Sequence, residues 1–467
     1  MSATTEVKVQ TLTYRRYREG DNEYKDLHQR IFQAGWSHKC PTYIQSAPPC
    51  QGSCPSGEDI RSYLQIVRGI EKPPLGADGK PAMSWQEYAW RRLTEANPFP
   101  AVMGRVCPAP CETGCNRNVV EEHVGINSVE HYLGDWAICN GLKYEAPATC
   151  TGKKVAVIGG GPAGLSCAYQ LARKGHEVTL FDEHEHLGGM MRYGIPGFRT
   201  PRESLDAEIG RILDLGVKTR MNCHVGKDIG MEELRAGFDA VFFGLGAQSG
   251  RPLPVPGAQA PNCVTATAFL KAFNDGRLRH VGKRVVVIGG GDTASDCLRT
   301  ALRLGSEEVT CLYRRTENEM PGGKKDRKMA REEGAKYRFL TQPVKFIAGE
   351  DGKLAAVECL EMRLGEPDAK GRRKPIPVEG SNFSIACDTA ILALGYWPDP
   401  ILGKTTPGLE VKDWGLIAVK DKKTGATSRE GVFSGGDCVT GPDLVVTAMV
   451  AGRKAAWAID EYLRNKK

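Results

Sequence analysis

The chain has 467 residues, of which 41% are hydrophobic and 25% are charged, and its formal net charge at pH 7 is +7. This length and composition predict a globular protein of two or three domains, with no stretch of about 18 apolar residues that would span a membrane. The start of the chain, 1–24, lacks the apolar segment of a signal peptide, so we expect a cytoplasmic location, and the modest charge does not indicate a nucleic-acid partner.

The first part of the chain combines predicted helices with clustered cysteines. Helical patterns cover 58–69, 84–96 and 127–140, and a proline-rich loop covers 73–81. Six of the 16 cysteines fall in clusters between positions 40 and 115, namely Cys40, Cys50, Cys54, Cys107, Cys111 and Cys115. Clustered thiols in an intracellular chain indicate metal binding rather than disulfides. Their x3 spacing beside prolines favours an iron–sulfur cluster over zinc, which more often uses C-x2-C pairs, and cysteines without a metal are the third alternative.

The predicted strand 155–158 leads into a glycine-rich turn and a helix, and the turn reads Gly159-Gly160-Gly161-Pro162-Ala163-Gly164. This G-x-G-x-x-G spacing is the fingerprint of a strand–turn–helix that binds a dinucleotide. Gly159 permits the tight turn, Gly161 lets the backbone approach the pyrophosphate, and Gly164 allows close helix–strand packing. Asp182 ends the next predicted strand, 178–181, where a carboxylate would bind ribose hydroxyls.

A second turn of the same kind follows the predicted strand 285–288 and reads Gly289-Gly290-Gly291-Asp292-Thr293-Ala294. The strand after it, 309–313, ends in Arg314 and Arg315, with no acidic residue in that place. Arginines supply the positive charge and the paired donors that a 2′-phosphate needs, so this site is predicted to bind NADP rather than NAD. The alternative is that the two arginines are ordinary surface residues at a strand end.

The repeated units predict an α/β fold with two doubly wound parallel sheets. Later segments extend this pattern: strand 240–243 leads into Gly246, strands are expected within 336–388, and strand 390–394 follows. The segment Gly435-Gly436-Asp437 then precedes a helix at 445–463. Two dinucleotide sites in one chain are most simply a flavin and a nicotinamide, which indicates redox chemistry.

Four longer motifs resemble those of one family, the small subunit of bacterial glutamate synthase and its relatives. Those relatives include the NADP-binding subunit of a ferredoxin–NADP transhydrogenase and the N-terminal half of dihydropyrimidine dehydrogenase. The resemblance covers nearly the whole chain. The motifs are GRVCPAPCE from Gly104, GGMMRYGIP from Gly188, YRRTENEMP from Tyr313, and GGD from Gly435, followed by Gly441-Pro442.

The resemblance implies two Rossmann-like domains of the glutathione reductase type, preceded by a mainly helical iron–sulfur domain. The implied boundaries are 1–145 for the iron–sulfur domain, 146–280 with 386–467 for the FAD domain, and 281–385 for the NAD(P) domain. By resemblance, FAD would contact the first turn and further residues beyond it. These are Gly189, Arg192, Gly246, Gly436 and Asp437.

The family also implies the ligands of the iron–sulfur domain. One [4Fe–4S] cluster would be bound by Cys54, Cys107, Cys111 and Glu130. A second cluster in the family uses a C-x2-C-x4-C group, of which this chain retains only Cys50, with Cys115 downstream and Cys40 upstream. Because the C-x2-C pair is missing, we expect one cluster rather than two.

These observations together predict an electron-transfer flavoenzyme. Hydride would pass between NAD(P)H and FAD, and single electrons would pass through the [4Fe–4S] cluster to a larger catalytic or ferredoxin-like subunit of a hetero-oligomer. Hydride transfer requires no acid–base residue, so no catalytic side chain is predicted. A disulfide reductase is disfavoured because the chain has no Cys-x-x-Cys pair near the flavin. A non-catalytic scaffold that binds FAD is the remaining alternative.

Overall fold

The computed structural model describes residues 48–368, 371 and 373–466, and the chain divides after Leu142 into two compact units. The first unit is helical, as the sequence predicts. Its helices are α1 (Pro49–Ser53), α2 (Ile60–Val67), α3 (Trp85–Thr94), α4 (Pro100–Val106), α5 (Pro110–Thr113) and α6 (Ile126–Cys139). Nowhere in the described part of the chain is a helix long and apolar enough to cross a membrane.

Glycines let the backbones of α4 and α6 pack directly against each other. A Cβ on Gly134 would lie 2.2 Å from the amide nitrogen of Ala101, and one on Gly104 would lie 2.5 Å from the Cα of His131. Real Cβ atoms do not approach backbone this closely, so both positions require glycine. This crossing brings the C-terminal end of α4, at Cys107, to the helix that carries Glu130.

The second unit begins with a five-stranded parallel sheet. Its strands are β1 (Lys154–Ile158), β2 (Glu177–Phe181), β3 (Lys218–Arg220), β4 (Ala240–Phe243) and β16 (Val432–Ser434), and their order is β3-β2-β1-β4-β16. Its helices are α7 (Pro162–Arg173), α8 (Met190–Tyr193), α9 (Arg202–Leu213), α10 (Met231–Gly237), α14 (Ile401–Thr405), α15 (Asp437–Thr440) and α16 (Val445–Asn465). The direction of connection reverses between β1 and β4, which is where doubly wound folds bind their ligands.

A second five-stranded parallel sheet repeats the arrangement of the first. Its strands are β6 (Cys263–Thr265), β7 (Arg284–Ile288), β8 (Glu308–Tyr313), β9 (Lys336–Phe339) and β14 (Thr389–Leu392), and their order is β9-β8-β7-β14-β6. The helices that accompany it are α11 (Ala266–Asn274), α12 (Asp292–Arg303) and α13 (Lys324–Glu332).

Most of the strands expected within 336–388 form a separate antiparallel sheet rather than extending the parallel one. Only β9 joins the parallel sheet. The others are β10 (Thr341–Ala348), β11 (Leu354–Pro367), β12 (Arg373–Pro377) and β13 (Phe383–Ala386), with β11 paired to all three. Two further short strands, β5 (Ser249–Gly250) and β15 (Tyr396–Trp397), pair where the chain crosses between the two parallel sheets.

The long helix α16 packs backbone to backbone on α7 at Gly452. A Cβ there would lie 1.9 Å from the carbonyl oxygen of Ala163, a residue of the first glycine-rich turn. Gly210, in α9, is the matched contrast, because nothing lies within 4 Å of the position that its Cβ would take.

We expect Gly452→Ala to lower the free energy of unfolding by about 1–3 kcal/mol, the usual range for overpacking a rigid contact. The control, Gly210→Ala, should raise the free energy by roughly 0.5–1 kcal/mol because it only restricts the unfolded chain. Urea unfolding followed by circular dichroism measures both. Equal effects of the two substitutions would contradict the close contact between α16 and α7.

Candidate functional site

The first glycine-rich turn is shaped by close approaches between segments of backbone. Gly159 has φ +101°, and a Cβ there would lie 2.4 Å from the carbonyl oxygen of Gly244, just after β4. A Cβ on Gly164 would lie 1.8 Å from the Gly159 carbonyl oxygen. Gly161 caps α7 without any side-chain hydrogen bond. The N-terminus of α7 is therefore available to a phosphate group, which fits the pyrophosphate of FAD.

The loop after β2 closes over this turn. The amide of Gly188 donates to the carbonyl of Gly160 over 2.8 Å, and a Cβ on Gly189 would lie 2.7 Å from the Cα of Gly161. The structure thus brings Gly161 and Gly189 together, two residues that the sequence assigned to FAD on separate grounds. A side chain at Gly189 would collide with Gly161, whereas a Cβ on Gly161 would lie 3.8 Å from the Cα of Gly189, which is an ordinary contact.

Asp182 is placed at the end of β2, but its carboxylate already has hydrogen-bond partners. Oδ2 accepts from the amide of Gly160 over 2.6 Å, and Oδ1 accepts from the amide of His184 over 2.8 Å. The carboxylate therefore holds the glycine-rich turn in shape. Its predicted contact with a ribose stays a prediction.

Arg192 lies in α8 beside the glycine loop and is held by two partners. Its Nε donates to the carbonyl of Leu187 over 2.5 Å, and its Nη2 pairs with Asp206. These contacts fix the side chain next to Gly188, whose Cβ position would lie 3.1 Å from the Cβ of Arg192. A direct contact between this guanidinium and FAD stays a prediction.

The C-terminal motif returns to the first turn. Gly436 has φ +82°, and a Cβ there would lie 3.1 Å from the Cβ of Ala163. Asp437 follows as the first residue of α15, and burial raises the pKa of its carboxyl to about 7. The nearby charge of Asp443 acts in the same direction, whereas a hydrogen bond from the Asp443 backbone opposes it. Gly246, with φ +68°, has open space where its Cβ would be.

The second glycine-rich turn repeats the geometry of the first. A Cβ on Gly289 would lie 2.2 Å from the carbonyl oxygen of Ala393, just after β14. Gly291 caps α12 without a side-chain hydrogen bond and has nothing within 4 Å of its Cβ position. Asp292 accepts from the amide of Gly323 over 2.7 Å, and Ala294 is buried. Gly322 packs on this turn, since its Cβ would lie 3.2 Å from the amide nitrogen of Asp292. A helix N-terminus that begins at a glycine in this way fits the pyrophosphate of a nicotinamide dinucleotide.

The two predicted phosphate-binding arginines lie at the end of β8. Arg314 is exposed, and Arg315 is partly buried. The Nε of Arg315 donates to the carbonyl of Arg373 over 3.0 Å, which orients the guanidinium. The neighbouring Tyr313 ring lies against the turn, because a Cβ on Gly290 would lie 2.6 Å from it. Their role in binding a 2′-phosphate stays a prediction.

The predicted cluster ligands Cys54, Cys107, Cys111 and Glu130 lie near one another in the first unit. Burial raises the pKa of Cys107 to about 12, and the charge of Glu130 acts in the same direction. Burial also raises the pKa of Cys54 and of Cys111, and for both thiols Glu58 and Glu130 add to the rise. Three thiols and a carboxylate gathered in one buried place form a donor set that fits a bound iron–sulfur cluster.

Backbone conformation and hydrogen bonds shape this group of ligands. Ala109, between Cys107 and Cys111, adopts a left-handed conformation with φ +51°, which is rare for a residue with a side chain. The side-chain amide of Asn97 donates to Oε1 of Glu130, and the two side chains are buried. The side-chain nitrogen of Asn127 lies 3.5 Å from the other carboxylate oxygen. These contacts orient the Glu130 carboxylate.

Cys50 and Cys115 lie near each other, separately from the four ligands above. Burial raises the pKa of Cys50, and the charge of Cys115 contributes, so the two sulfurs are near each other. Cys40 lies outside the described residues. Among the residues that are described, no three His, Cys, Asp or Glu side chains converge closely enough to hold a single metal ion. Ligands of a four-iron cluster bind different irons, so they need not converge on one point.

Two residues near the glycine-rich turns were not singled out from the sequence. Burial and the charge of Asp437 raise the pKa of Tyr396, and a hydrogen bond with Thr293 opposes this. Tyr396 therefore lies between the C-terminal motif and the second turn. Arg199 pairs with Asp296 of α12 over 2.8 Å. No local pattern marks either residue, because each contact joins distant parts of the chain.

Two family models match the chain. Residues 153–452 match the pyridine nucleotide-disulphide oxidoreductase family. Residues 21–142 match domain II of dihydropyrimidine dehydrogenase, which is described by its 4Fe-4S cluster. The division between the two matches falls close to the division between the two compact units, which is after Leu142.

Curated relatives are similar over most of the chain. The beta subunit of an NADP(+)-dependent formate dehydrogenase from Moorella thermoacetica is 36% identical, over 98% of this chain and 65% of that protein. The beta subunit of an NADPH-Fe(3+) oxidoreductase from Geobacter sulfurreducens is 37% identical, over 90% of this chain and 64% of that protein. The chain thus spans less than two thirds of these relatives. The small chain of NADPH glutamate synthase from Escherichia coli is 38% identical, over 89% of each protein.

Solved structures with the same fold include FprA of Mycobacterium tuberculosis in complex with NADPH. It has a TM-score of 0.58 and 19% identity, over 67% of this chain and 85% of that chain. The thioredoxin reductase of T. acidophilum has a TM-score of 0.50 and 20% identity, over 68% of this chain and 100% of that chain. At this identity the likeness concerns the fold alone.

These matches confirm the main predictions from the sequence. The resemblance to the glutamate synthase small subunit, the two Rossmann-like domains with an iron–sulfur domain before them, and membership of an oxidoreductase family are confirmed. The cofactor set of FAD, NADP or NAD, and [4Fe–4S] is confirmed at the level of the families. The individual site residues and the domain boundaries stay predictions.

We expect Asp437→Asn to change how the stability of the FAD-free protein depends on pH. A carboxyl with a pKa of about 7 when folded and about 3.9 when unfolded destabilises the fold progressively as the pH rises from about 4 to about 7. Above this window the Asp437→Asn variant should be more stable than the wild type, by no more than about 4 kcal/mol. Urea unfolding measures the difference at about pH 4.5, near the start of this window, and at about pH 8, above it. The exposed Asp413→Asn is the control, and parallel pH profiles would contradict the shifted pKa.

We expect Cys111→Ser to remove the iron of the anaerobically purified protein, because the substitution takes one thiolate from a buried ligand set. Cys50→Ser should leave about four irons per chain if only one cluster is bound. Iron and acid-labile sulfide analysis measures both, and Cys139→Ser, at an exposed cysteine of α6, is the control. Loss of half of the iron in Cys50→Ser would show that a second cluster is bound.

Proposed function

Because the chain belongs to the pyridine nucleotide-disulphide oxidoreductase family, we propose that it passes electrons between NADPH and a partner protein through FAD and a [4Fe–4S] cluster. The observation that carries this proposal is the repeated geometry of the two turns. Each presents a helix N-terminus that no side chain caps, at Gly161 and at Gly291. Two such sites in one compact unit allow two dinucleotides to bind together, while the other unit carries the thiol ligands.

The flavin belongs at the first turn and the nicotinamide dinucleotide at the second. The loop with Gly189 and the motif with Gly436 both pack on the first turn, whereas arginines follow the second. We therefore propose FAD contacts for Gly159–Gly164, Asp182, Arg192, Gly246 and Asp437. The corresponding boundaries are 146–280 with 386–467 for FAD and 281–385 for the nicotinamide dinucleotide.

The side chains at the second turn favour NADPH over NADH. Arg314 is exposed at the end of β8, and the Arg315 guanidinium is oriented by the Arg373 carbonyl. An acidic residue, which would bind the 2′-hydroxyl of NADH, is missing at this place in the sequence. Two guanidinium groups instead supply the charge and the donors that a 2′-phosphate needs.

FAD, when bound, supplies the conversion between the two-electron chemistry of a nicotinamide and the one-electron chemistry of an iron–sulfur cluster. The protein's own part is to bind, orient and exclude water. Asp182 holds the glycine-rich turn in shape through the amide of Gly160. Cys54, Cys107, Cys111 and Glu130 are proposed to bind the cluster that follows the flavin.

The acceptor is proposed to be a second, redox-active subunit. Relatives of this chain from Moorella thermoacetica and Geobacter sulfurreducens are named as beta subunits, and the relative from Escherichia coli as a small chain. A chain that carries the nucleotide site and a cluster, but no predicted acid–base residue, needs another protein to carry out the final reaction. We therefore propose a hetero-oligomer with a larger catalytic or ferredoxin-like subunit.

The proposal is tested by anaerobic titration of the purified holoprotein with NADPH and with NADH, following the flavin absorbance and counting iron. Bleaching by NADPH at lower concentration than by NADH supports the proposal. A flavin that stays oxidised with both nucleotides would overturn it and leave a non-catalytic scaffold. The same titration with a low-potential ferredoxin as electron donor tests the reverse direction.

In this titration Arg314→Ala should weaken NADPH binding about 10- to 100-fold, since a hydrogen bond to a charged group contributes about 1.5–3 kcal/mol. Binding of NADH should change less than about twofold, because it lacks the 2′-phosphate. Arg235→Ala, at an exposed arginine of α10, is the control. Equal losses for the two nucleotides would show that Arg314 does not recognise the 2′-phosphate.

A further inference from the structure

The segment between α8 and α9 contacts the helix that begins at the second glycine-rich turn. This segment lies among the helices of the first parallel sheet, whereas α12 packs with the second sheet. Nη1 of Arg199 lies 2.8 Å and 2.9 Å from the two carboxylate oxygens of Asp296, in α12. Nη2 lies 3.3 Å from Oδ1 of Asp326, in α13. The side chains of Arg199 and Asp296 are only 13% and 7% exposed, so this ion pair is largely withdrawn from water.

Phe198 strengthens the same contact. The guanidinium carbon of Arg303 lies 4.2 Å from the centre of the Phe198 ring, and that of Arg299 lies 5.0 Å from it. Arg299 is itself held by Glu333 over 2.7 Å. Two cations over one aromatic ring are attracted by its negative face, and the ring also packs on Phe273. Phe198 and Arg199 thus bind one side of α12 through an aromatic ring and an ion pair.

The covalent connection between the two parallel sheets is thin. The chain crosses from one sheet to the other through β5 and back through β15, and these strands pair over only two residues each. A two-stranded ribbon of this length has little stability of its own, so it acts as a hinge rather than as a rigid strut. The orientation of α12 relative to the first sheet must therefore depend on contacts outside the ribbon.

We propose that Arg199, supported by Phe198, is a positioning residue for hydride transfer. Through Asp296 it holds α12, and with it the second glycine-rich turn, at a fixed distance and angle from the first turn. This inference rests on the proposed transfer between NADPH and FAD, because only that reaction requires both turns to be aligned. Arg199 contacts neither cofactor in this role. It holds the second turn in the position relative to the first turn that this structure shows.

The contacts of Arg199 suit this task because they fix the orientation of its guanidinium group. The carboxylate of Asp296 accepts from one nitrogen of the guanidinium, while Asp326 is reached by the other. A guanidinium that two helices share fixes both position and rotation, which a point charge on a flexible chain does not. Lysine at position 199 is therefore expected to replace the charge but not the geometry.

The test compares Arg199→Gln and Asp296→Asn with Arg284→Gln, which breaks an exposed ion pair with Asp388 at the far end of β7. In anaerobic stopped-flow experiments with saturating NADPH, the first two should reduce the flavin about 100-fold more slowly, as expected for a misplaced reacting pair. Their dissociation constants for NADPH and their FAD content should stay within about twofold of the wild type. Arg284→Gln should resemble the wild type, and an unchanged rate in Arg199→Gln would overturn the inference.

A second measurement does not depend on catalysis. Hydrogen–deuterium exchange of the cofactor-free proteins should show faster exchange in β5, β15 and the start of α12 for Arg199→Gln and Asp296→Asn, with the first sheet unchanged. If NADPH fails to reduce the wild-type flavin, the proposed function fails, and exchange alone then decides whether Arg199 holds the hinge. Exchange identical to that of the wild type would overturn the positioning role. Faster exchange throughout the unit would also overturn it, because that result indicates loss of the fold.

Discussion

The close approach of backbone to backbone at the two glycine-rich turns is the constraint on which the second unit depends. In each parallel sheet, the turn after the central strand, β1 or β7, abuts the chain just beyond a neighbouring strand, at Gly244 in one case and Ala393 in the other. A side chain at Gly159 or Gly289 would push these segments apart. The contact places each helix N-terminus at the reversal point of its sheet, where doubly wound folds bind their ligands, and both proposed cofactor sites depend on that placement.

Patterns over short stretches of sequence were sufficient to predict the two parallel sheets and their glycine-rich turns. Alternation of strand, glycine-rich turn and helix predicted both parallel sheets, because each turn must combine positive φ with a packed helix start. The separate antiparallel sheet of β10–β13 could not be distinguished from further parallel strands, since strand pairing depends on residues far apart in the chain. The occupied carboxylate of Asp182 and the ion pair of Arg199 escaped prediction for the same reason.

The first unit depends on a different feature, the burial of thiols and a carboxylate in one place. Cys107 and Cys111 are brought together by the left-handed Ala109, and Glu130 is oriented by Asn97. Spacing along the sequence indicated the cysteines, whereas the family resemblance alone pointed to Glu130. From the sequence alone, a buried glutamate in a helix cannot be distinguished from an exposed one.

The order of strands in the two parallel sheets has a consequence for synthesis on the ribosome. Every strand of the second sheet has emerged once β14 is made, whereas the first sheet still lacks β16, which pairs with β4 from near the end of the chain. Domains fold as their segments emerge from the N-terminus. The inserted sheet can therefore complete its hydrogen bonding while the sheet around it is still open at one edge, where β16 has yet to pair with β4.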